Sequence, residues 1–140
     1  MATTVYLSNP NVTINSVALQ DQCTSAVVNY VYEQLETTAF GDTARKFGGS
    51  AVTSLQNNTI EVTLYQSYAA SETEATIFGL VGIVTTLVVA PASGSVSSTN
   101  PFYTLVGAYL ESHTPINASL GELSEITLTF AGGVLTKTTT

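Results

Sequence analysis

Polar and apolar side chains alternate with period two along much of this chain, the pattern of strands with one face on a core and the other on solvent. Ile60, Val62 and Leu64 alternate with Glu61, Thr63 and Tyr65, and Ile126, Leu128 and Phe130 alternate with Glu125, Thr127 and Thr129. Two segments instead are apolar or aromatic at most positions: SAVVNYVYEQL at 25–35 and NPFYTLVGAYLES at 100–112. Strands of that kind are expected where both faces are covered, and Gly107 allows a bulge or a close backbone approach. One segment, 71–81, predicts a helix. Ser71 followed by Glu74 fits a capping box, Glu72 and Glu74 sit where the helix dipole favours acid, and Ala75, Phe78 and Val81 form the expected buried stripe. Asn57-Asn58, residues 91–99 and residues 114–121 read as linkers, and Gly132-Gly133 as a hairpin turn. The expected fold is mainly β: an antiparallel β-sandwich or barrel with one flanking α-helix and a long inter-strand loop, in a single domain over 1–140.

The length supports one hydrophobic core and not two. Hydrophobic residues make up 44% of the chain and charged residues only 9%, where a soluble domain carries about a quarter charged. A small monomer of that composition leaves apolar surface uncovered, so association with further copies or a partner is expected. Ten acidic and three basic residues give a net charge of −7, which argues against tight binding to nucleic acid phosphates. Residues 75–110 carry no charged side chain. Their most apolar part, 77–90, is shorter than the roughly 20 residues of a spanning helix and is followed by Pro91, so it reads as a helix end and a buried strand, without membrane insertion. The N-terminus MATTVYLSNP lacks the basic and apolar regions of a signal peptide, and Cys23 is the single cysteine. Both features predict synthesis in the cytoplasm of the producing cell.

Catalytic chemistry finds little to stand on. His113 is the single histidine, followed by Thr114-Pro115 at a strand end, and reads as an exposed turn residue. One histidine and one cysteine far apart in sequence do not make the ligand sets that transition metals use. Glu72 and Glu74 are explained by the start of a helix, and Gly48-Gly49 lacks the lysine and spacing of a phosphate-binding loop. No nucleophile, base and orienting group assemble into a catalytic set. Neither an enzyme nor a cofactor or metal site is expected.

The stretch TAFGDTARKF at 38–47 holds the one arginine and one of the two lysines, between two phenylalanines. With YAASETEATIFGLVG at 68–82, SSTNPFYTLVGAYLESHTPI at 97–116 and LGELSEITLTFAGG at 120–133, it resembles, in order and spacing, the major tail tube proteins of long-tailed, siphovirus-like bacteriophages over about residues 4–138. The resemblance implies a virion protein made in the host cytoplasm. Six copies would close a ring, the rings would stack into the tail tube, other tail proteins would meet the tube ends, and DNA would pass through without tight binding.

On that reading the 36–50 loop is an inter-subunit arm made of Phe40, Gly41, Asp42, Arg45, Lys46 and Phe47. The phenylalanines would serve as apolar anchors and the two cations would seek carboxylates of a neighbouring copy. Glu61 and Glu125, each among small hydroxyl residues, are the candidates to face a wetted lumen, where negative charge disfavours phosphate contact. Two other readings share parts of the composition. A phage capsid decoration or head-tail joining protein would be equally acidic and β-rich. A carbohydrate-binding sandwich would be expected to carry tryptophan for stacking on sugars, and this chain has none.

Overall fold

A computed structural model of the chain describes residues 9–48 and 55–140. The strands are β1 (Asn11–Ile14), β2 (Val17–Ala18), β3 (Cys23–Asn29), β4 (Thr59–Tyr65), β5 (Val84–Ala90), β6 (Phe102–Leu110), β7 (Glu125–Ala131) and β8 (Val134–Thr138). A short helix α1 (Thr73–Ile77) runs into a single 3-10 turn, Phe78–Leu80. All eight strands belong to one sheet in the order β2-β1-β5-β6-β7-β4-β3, with β8 also on β6, and every pairing is antiparallel.

The period-two reading places residues as expected. Ile60, Val62, Leu64, Ile126, Leu128 and Phe130 are buried, while Glu61, Glu125, Thr127 and Thr129 are exposed. These inward residues share one apolar cluster with Val12 and Ile14 of β1, Leu87 of β5 and Leu105 and Leu110 of β6. Strands so far apart in the strand order can share a core only if the sheet curls until its two halves face each other.

The curl turns on a glycine corner. β7 pairs with β4 along its length, from Thr59↔Ala131 to Tyr65↔Glu125, and its last residues reach β6 through Tyr109↔Ala131 and Leu110↔Phe130. β8 then continues along the same edge of β6, from Val106↔Val134 to Phe102↔Thr138. Gly132-Gly133 is therefore not the expected hairpin turn. It is a bend in one run that leaves the first half-sheet and joins the second, the way sheet corners are made. Both glycines have positive φ, 83° and 85°. Across from them, Gly107 is the bulge residue left out between the Thr85↔Ala108 and Thr86↔Val106 pairs, as its sequence position suggested. A Cβ on Gly133 would run into the Val106 carbonyl oxygen and the Gly107 backbone, so two residues without side chains are what let the strands approach here. The sheet ends, β2 and β3, do not pair with each other. The result is an open curl and not a closed barrel.

Three expectations need correction. Helix α1 starts at Thr73, with Glu72 as N-cap and no side-chain cap bond. Ser71 sits at φ 63°, so the Ser71–Glu74 capping box does not form. Gln22 replaces it: its Oε1 accepts from the Thr73 amide at 3.1 Å and from the Thr73 hydroxyl. The buried stripe is Thr73, Ile77 and Leu80, while Ala75, Phe78 and Val81 face outward and Phe78 is 64% exposed. Both stripes satisfy helical spacing, and the attachment through Gln22 selects the first. Finally, 25–35 is not a strand covered on both faces. β3 ends at Asn29 and stands at the edge of the sheet, and Val27, Tyr30, Val31 and Tyr32 are exposed. On β6 the outward Val106 and Tyr109 are likewise exposed.

The two half-sheets thus share a core but present different outer faces. On the β4–β7 side the outward rows are Glu61↔Thr129, Thr63↔Thr127 and Tyr65↔Glu125. On the β5–β6–β8 side they are Val84↔Tyr109, Thr86↔Val106, Val88↔Thr104, Val106↔Val134, Thr104↔Thr136 and Phe102↔Thr138, valine and aromatic residues with threonine and with no charge.

Candidate functional site

Beyond β3 the chain leaves the sheet as a narrow ribbon and returns to β4. Its root is hydrogen bonded across: Glu33 N to Leu55 O at 2.7 Å and Asn57 N to Val31 O at 2.7 Å. Asn58, read from sequence as part of a linker, is fully buried and joins the ribbon to the corner. Its Oδ1 accepts from Val31 N at 3.0 Å, its Nδ2 donates to Gln56 Oε1 and Gly133 O, and its carbonyl accepts from Gly132 N at 2.9 Å. Three polar groups around one buried side-chain amide, with a fourth on the same residue's carbonyl, form a high-stakes network, costly to leave unpaired. Asparagine beside asparagine looks like a turn signal, so nothing local marked it.

Further out, Gly48 N donates to Leu35 O at 2.8 Å and Thr37 N to Lys46 O at 2.8 Å. The tip turns at Ala39–Asp42, where the Ala39 amide donates to Asp42 Oδ2 at 2.7 Å and Gly41 takes a φ of 92°. Among the described residues, every hydrogen bond of 34–48 is made within that segment. The structure brings the six loop residues named from sequence onto this arm, apart from the sheet. Phe40 is fully exposed and Phe47 is 46% exposed. Gly49 and Ser50, the end of the expected loop, lie outside the described residues, as do residues 4–8 and 51–54 of the stretch that carries the family resemblance. Each arm cation has a partner in its own chain: Arg45 Nη1 to Glu36 Oε1 at 2.8 Å and Lys46 Nζ to Asp42 Oδ1 at 2.7 Å. The Lys46 ammonium, and after it the Ala39 amide, hold the Asp42 carboxyl below the usual carboxylate range.

The two candidate lumen residues lie on one face. Glu61 and Glu125 both point outward from the β4–β7 half-sheet, at rows Glu61↔Thr129 and Tyr65↔Glu125. Four residues of strand separate those rows, about 13 Å at the usual rise. Between them Thr63 and Thr127 share a hydroxyl contact at 3.3 Å. This is a wet, weakly acidic surface.

The opposite end of β4 and β7 carries a loop fastened by several side chains. Gln66 Nε2 donates to Glu74 Oε2 at 3.0 Å and to Pro115 O at 2.6 Å, and Tyr68 Oη donates to Pro115 O at 2.8 Å. Asn117 Nδ2 donates to Glu125 O and Ser124 Oγ to Asn117 O. His113, expected to be exposed, is the anchor: its side chain is 2% exposed, with Nε2 2.8 Å from Glu74 Oε2. Its Nδ1 is buried without a hydrogen-bond partner, so the ring serves packing and one carboxylate contact. Histidine before Thr-Pro gives no sign of burial, because the carboxylate that meets it comes from α1, 39 residues away.

A cleft of ≈ 900 Å³ opens between β3 and β8, with Ala26 and Val28 on one side and Tyr103 and Leu135 on the other. Cys23 lies at its end, its Sγ donating to Ser25 O at 3.2 Å. Burial pushes that thiol up, against the Ser25 contact. Among the described residues no three His, Cys, Asp or Glu side chains group as a metal-binding set, and no helix is long and apolar enough to cross a membrane.

No family model matches the chain and no curated protein matches its sequence. Solved structures do match. A chain from the virion of a native gene transfer agent particle has a TM-score of 0.70 at 15% identity, over 96% of this chain and 99% of that one. A chain from the tube-terminating cap of the anti-feeding prophage has a TM-score of 0.68 at 12% identity, over 100% and 94%. A chain from the sheath-tube complex of an extracellular contractile injection system has a TM-score of 0.66 at 10% identity, over 98% and 93%. The chain therefore has a fold found in phage-like tail and injection particles, contractile systems among them. The fold does not single out the long-tailed class.

Proposed function

We propose that this protein is the building block of a phage-type tail tube, a structural virion protein whose copies close into rings of six and stack into a conduit for DNA ejection. The observation that carries the reading is the fold likeness over nearly the whole of both chains to components of three such particles. A related match, over 84% of this chain with a TM-score of 0.55, comes from a gene transfer agent tail of C6 symmetry. The molecule's own features agree with it. Among the described residues the edges at β3 and β8 carry no further strand, the outward rows of the β5–β6–β8 half-sheet are uncharged, valine and tyrosine with threonine, and charged residues make up only 9% of the chain. Edges and patches of that kind are covered by assembly in stable proteins.

The arm residues Phe40, Gly41, Asp42, Arg45, Lys46 and Phe47 make contacts between copies. Glu61 and Glu125 line the lumen, where their charge keeps DNA from lodging. Negative-stain microscopy of concentrated purified protein tests the assembly: tubes are expected. Trimers, or single rings that never stack, would favour the capsid decoration or head-tail joining reading. Lumen placement is tested by changing Glu61 and Glu125 to Lys in assembled particles. Ejection should slow, most at low salt, where screening is weakest. Unaltered kinetics at every ionic strength would move both residues to the outer surface.

A further inference from the structure

We propose that the cleft between β3 and β8 is a docking groove for an extended segment of a different polypeptide, one that pairs with β3 as an added strand and brings a carboxylate to Lys137. The β3 side supplies the backbone. This strand is the last of the sheet and pairs with β4 alone. Alternate amides and carbonyls along its seven residues therefore face away from β4, and among the described residues no strand meets them. Such an edge is a template for one more strand. On the other side of the cleft β8 is less open, because the Leu135 amide already donates to Gln56 Oε1 at 3.3 Å.

The groove has an apolar floor and a long wall. Ala26, Val28 and Leu135 pack on the core cluster yet stay partly exposed, and all three line the cleft. Every second side chain of a docked strand would face them, leaving the alternate ones to solvent. The wall follows from register: the Asn11↔Ala90, Val89↔Tyr103 and Tyr103↔Lys137 pairs set the ends of β1, β5, β6 and β8 side by side. Three strand spacings make it about 14 Å across. With a cleft of ≈ 900 Å³, there is room for a short extended segment.

Charge selects the occupant. The chain has ten acidic residues, yet among the described residues none lines the cleft, and Lys137 is the one charged group that does. Arg45 and Lys46 are each paired with a carboxylate on the arm, whereas no described carboxylate pairs with Lys137. The chain's own candidates do not supply one. The edge strands β2 (VA) and β3 (CTSAVVN) have no acid, and β8 (VLTKT) would bring a second lysine. Residues 1–8, MATTVYLS, have no acid either. Complementarity to an unpaired cation therefore favours a foreign segment, alternating in pattern and acidic.

The test uses unassembled full-length protein and a synthetic peptide of alternating valine and threonine, as long as β3, with glutamate in place of the central threonine, a dye at one end and an amide at the other. Fluorescence polarisation should show saturable binding. The same peptide with glutamine should bind about 3-fold more weakly, the size of a partly exposed ion pair, and the gap should close as salt is raised. Lys137 is exposed, so Lys137→Glu should melt like the parent, and its preference should reverse toward a peptide with central lysine. Bound peptide should protect the outward amides of β3 from hydrogen exchange and slow alkylation of Cys23, which lines the same cleft. Absence of saturable binding, binding that leaves those amides and Cys23 untouched, or an unchanged preference in Lys137→Glu overturns the proposal. Equal binding by a peptide copying residues 1–8 or 23–29 also overturns it, giving the cleft to the chain's own terminus or to a second copy. The tube reading is tested separately by microscopy and survives any of these failures.

Discussion

Phe130 of β7 is wholly buried, paired with Ile60 of β4 on one side and Leu110 of β6 on the other, whereas Phe40 of the arm is fully exposed at a turn held only by its own neighbours. The same side chain thus marks two different solutions to burying apolar surface. In the sheet, strands from both halves close over one core and need nothing from outside. In the arm, backbone and ion-pair contacts are satisfied locally while the apolar groups are left out. A ribbon two strands wide is marginal on its own, and its exposed aromatics are intelligible as groups awaiting another surface.

Changes on the sheet side should therefore cost stability, and changes on the arm side should not. The largest effect is expected from Phe130→Ala, about 3–5 kcal/mol, the usual range for emptying a buried phenylalanine site. That is a large share of the 5–15 kcal/mol that holds a domain, and it is measured by urea denaturation of unassembled protein. Both half-sheets should melt in one transition, since the residue belongs to both; two separate transitions would divide the core in two.

Gly133→Ala should cost about 2–3 kcal/mol, the upper part of the range for a strained positive-φ position, because the added Cβ also meets the Val106 carbonyl. A loss of a few tenths would show that the corner can widen without the Gly107 contact. Phe78→Ala, on the outward side of the helix and 64% exposed, should cost less than about 1 kcal/mol, since only a part of its area leaves water. Phe40→Ala should stay within about 0.5 kcal/mol, as for surface sites without special features, while impairing assembly. Destabilisation of the lone chain by more than that would mean the arm packs on its own sheet and would erase the contrast drawn here.

The smallest effect is a pH dependence confined to the tip. Asp42 has its carboxyl lowered by Lys46 and the Ala39 amide, so the turn's contribution is complete above the ordinary carboxylate range. It is lost as pH falls through the depressed folded value. The Ala39 amide resonance should titrate there while the melting temperature of the sheet follows other groups. A titration midpoint above the ordinary aspartate value would contradict the ion pair.

Much of the sheet was legible in the residues. Alternation at 60–65 and 125–130 named the inward side chains correctly because period two is a property of the strand itself. Gly107 announced its bulge for a similarly local reason. The arm, too, was marked by its composition, with its cations and phenylalanines gathered in ten residues. Failures occurred where local chemistry allowed two answers. The helix had two stripes of proper spacing, and Gln22, distant in sequence, chose Ile77 over Phe78. Gly132-Gly133 looks like a hairpin to any local rule, yet the strand that follows pairs with β6 and makes a corner.

From the sequence alone came the strand class, the inward residues, the shortage of charge and the position of the arm, all of them properties of backbone periodicity and composition. Tertiary structure decided which strand stands at the edge, which helix face is buried, and that His113 and Asn58 are interior. It also placed the arm and the loop around Pro115 and Asn117 at opposite ends of β4 and β7. These depend on contacts between residues 39 to 75 positions apart, such as Gln22 with Thr73, Glu74 with His113 and Asn58 with Gly133. No local pattern encodes such contacts, because their energy exists only once the sheet has curled.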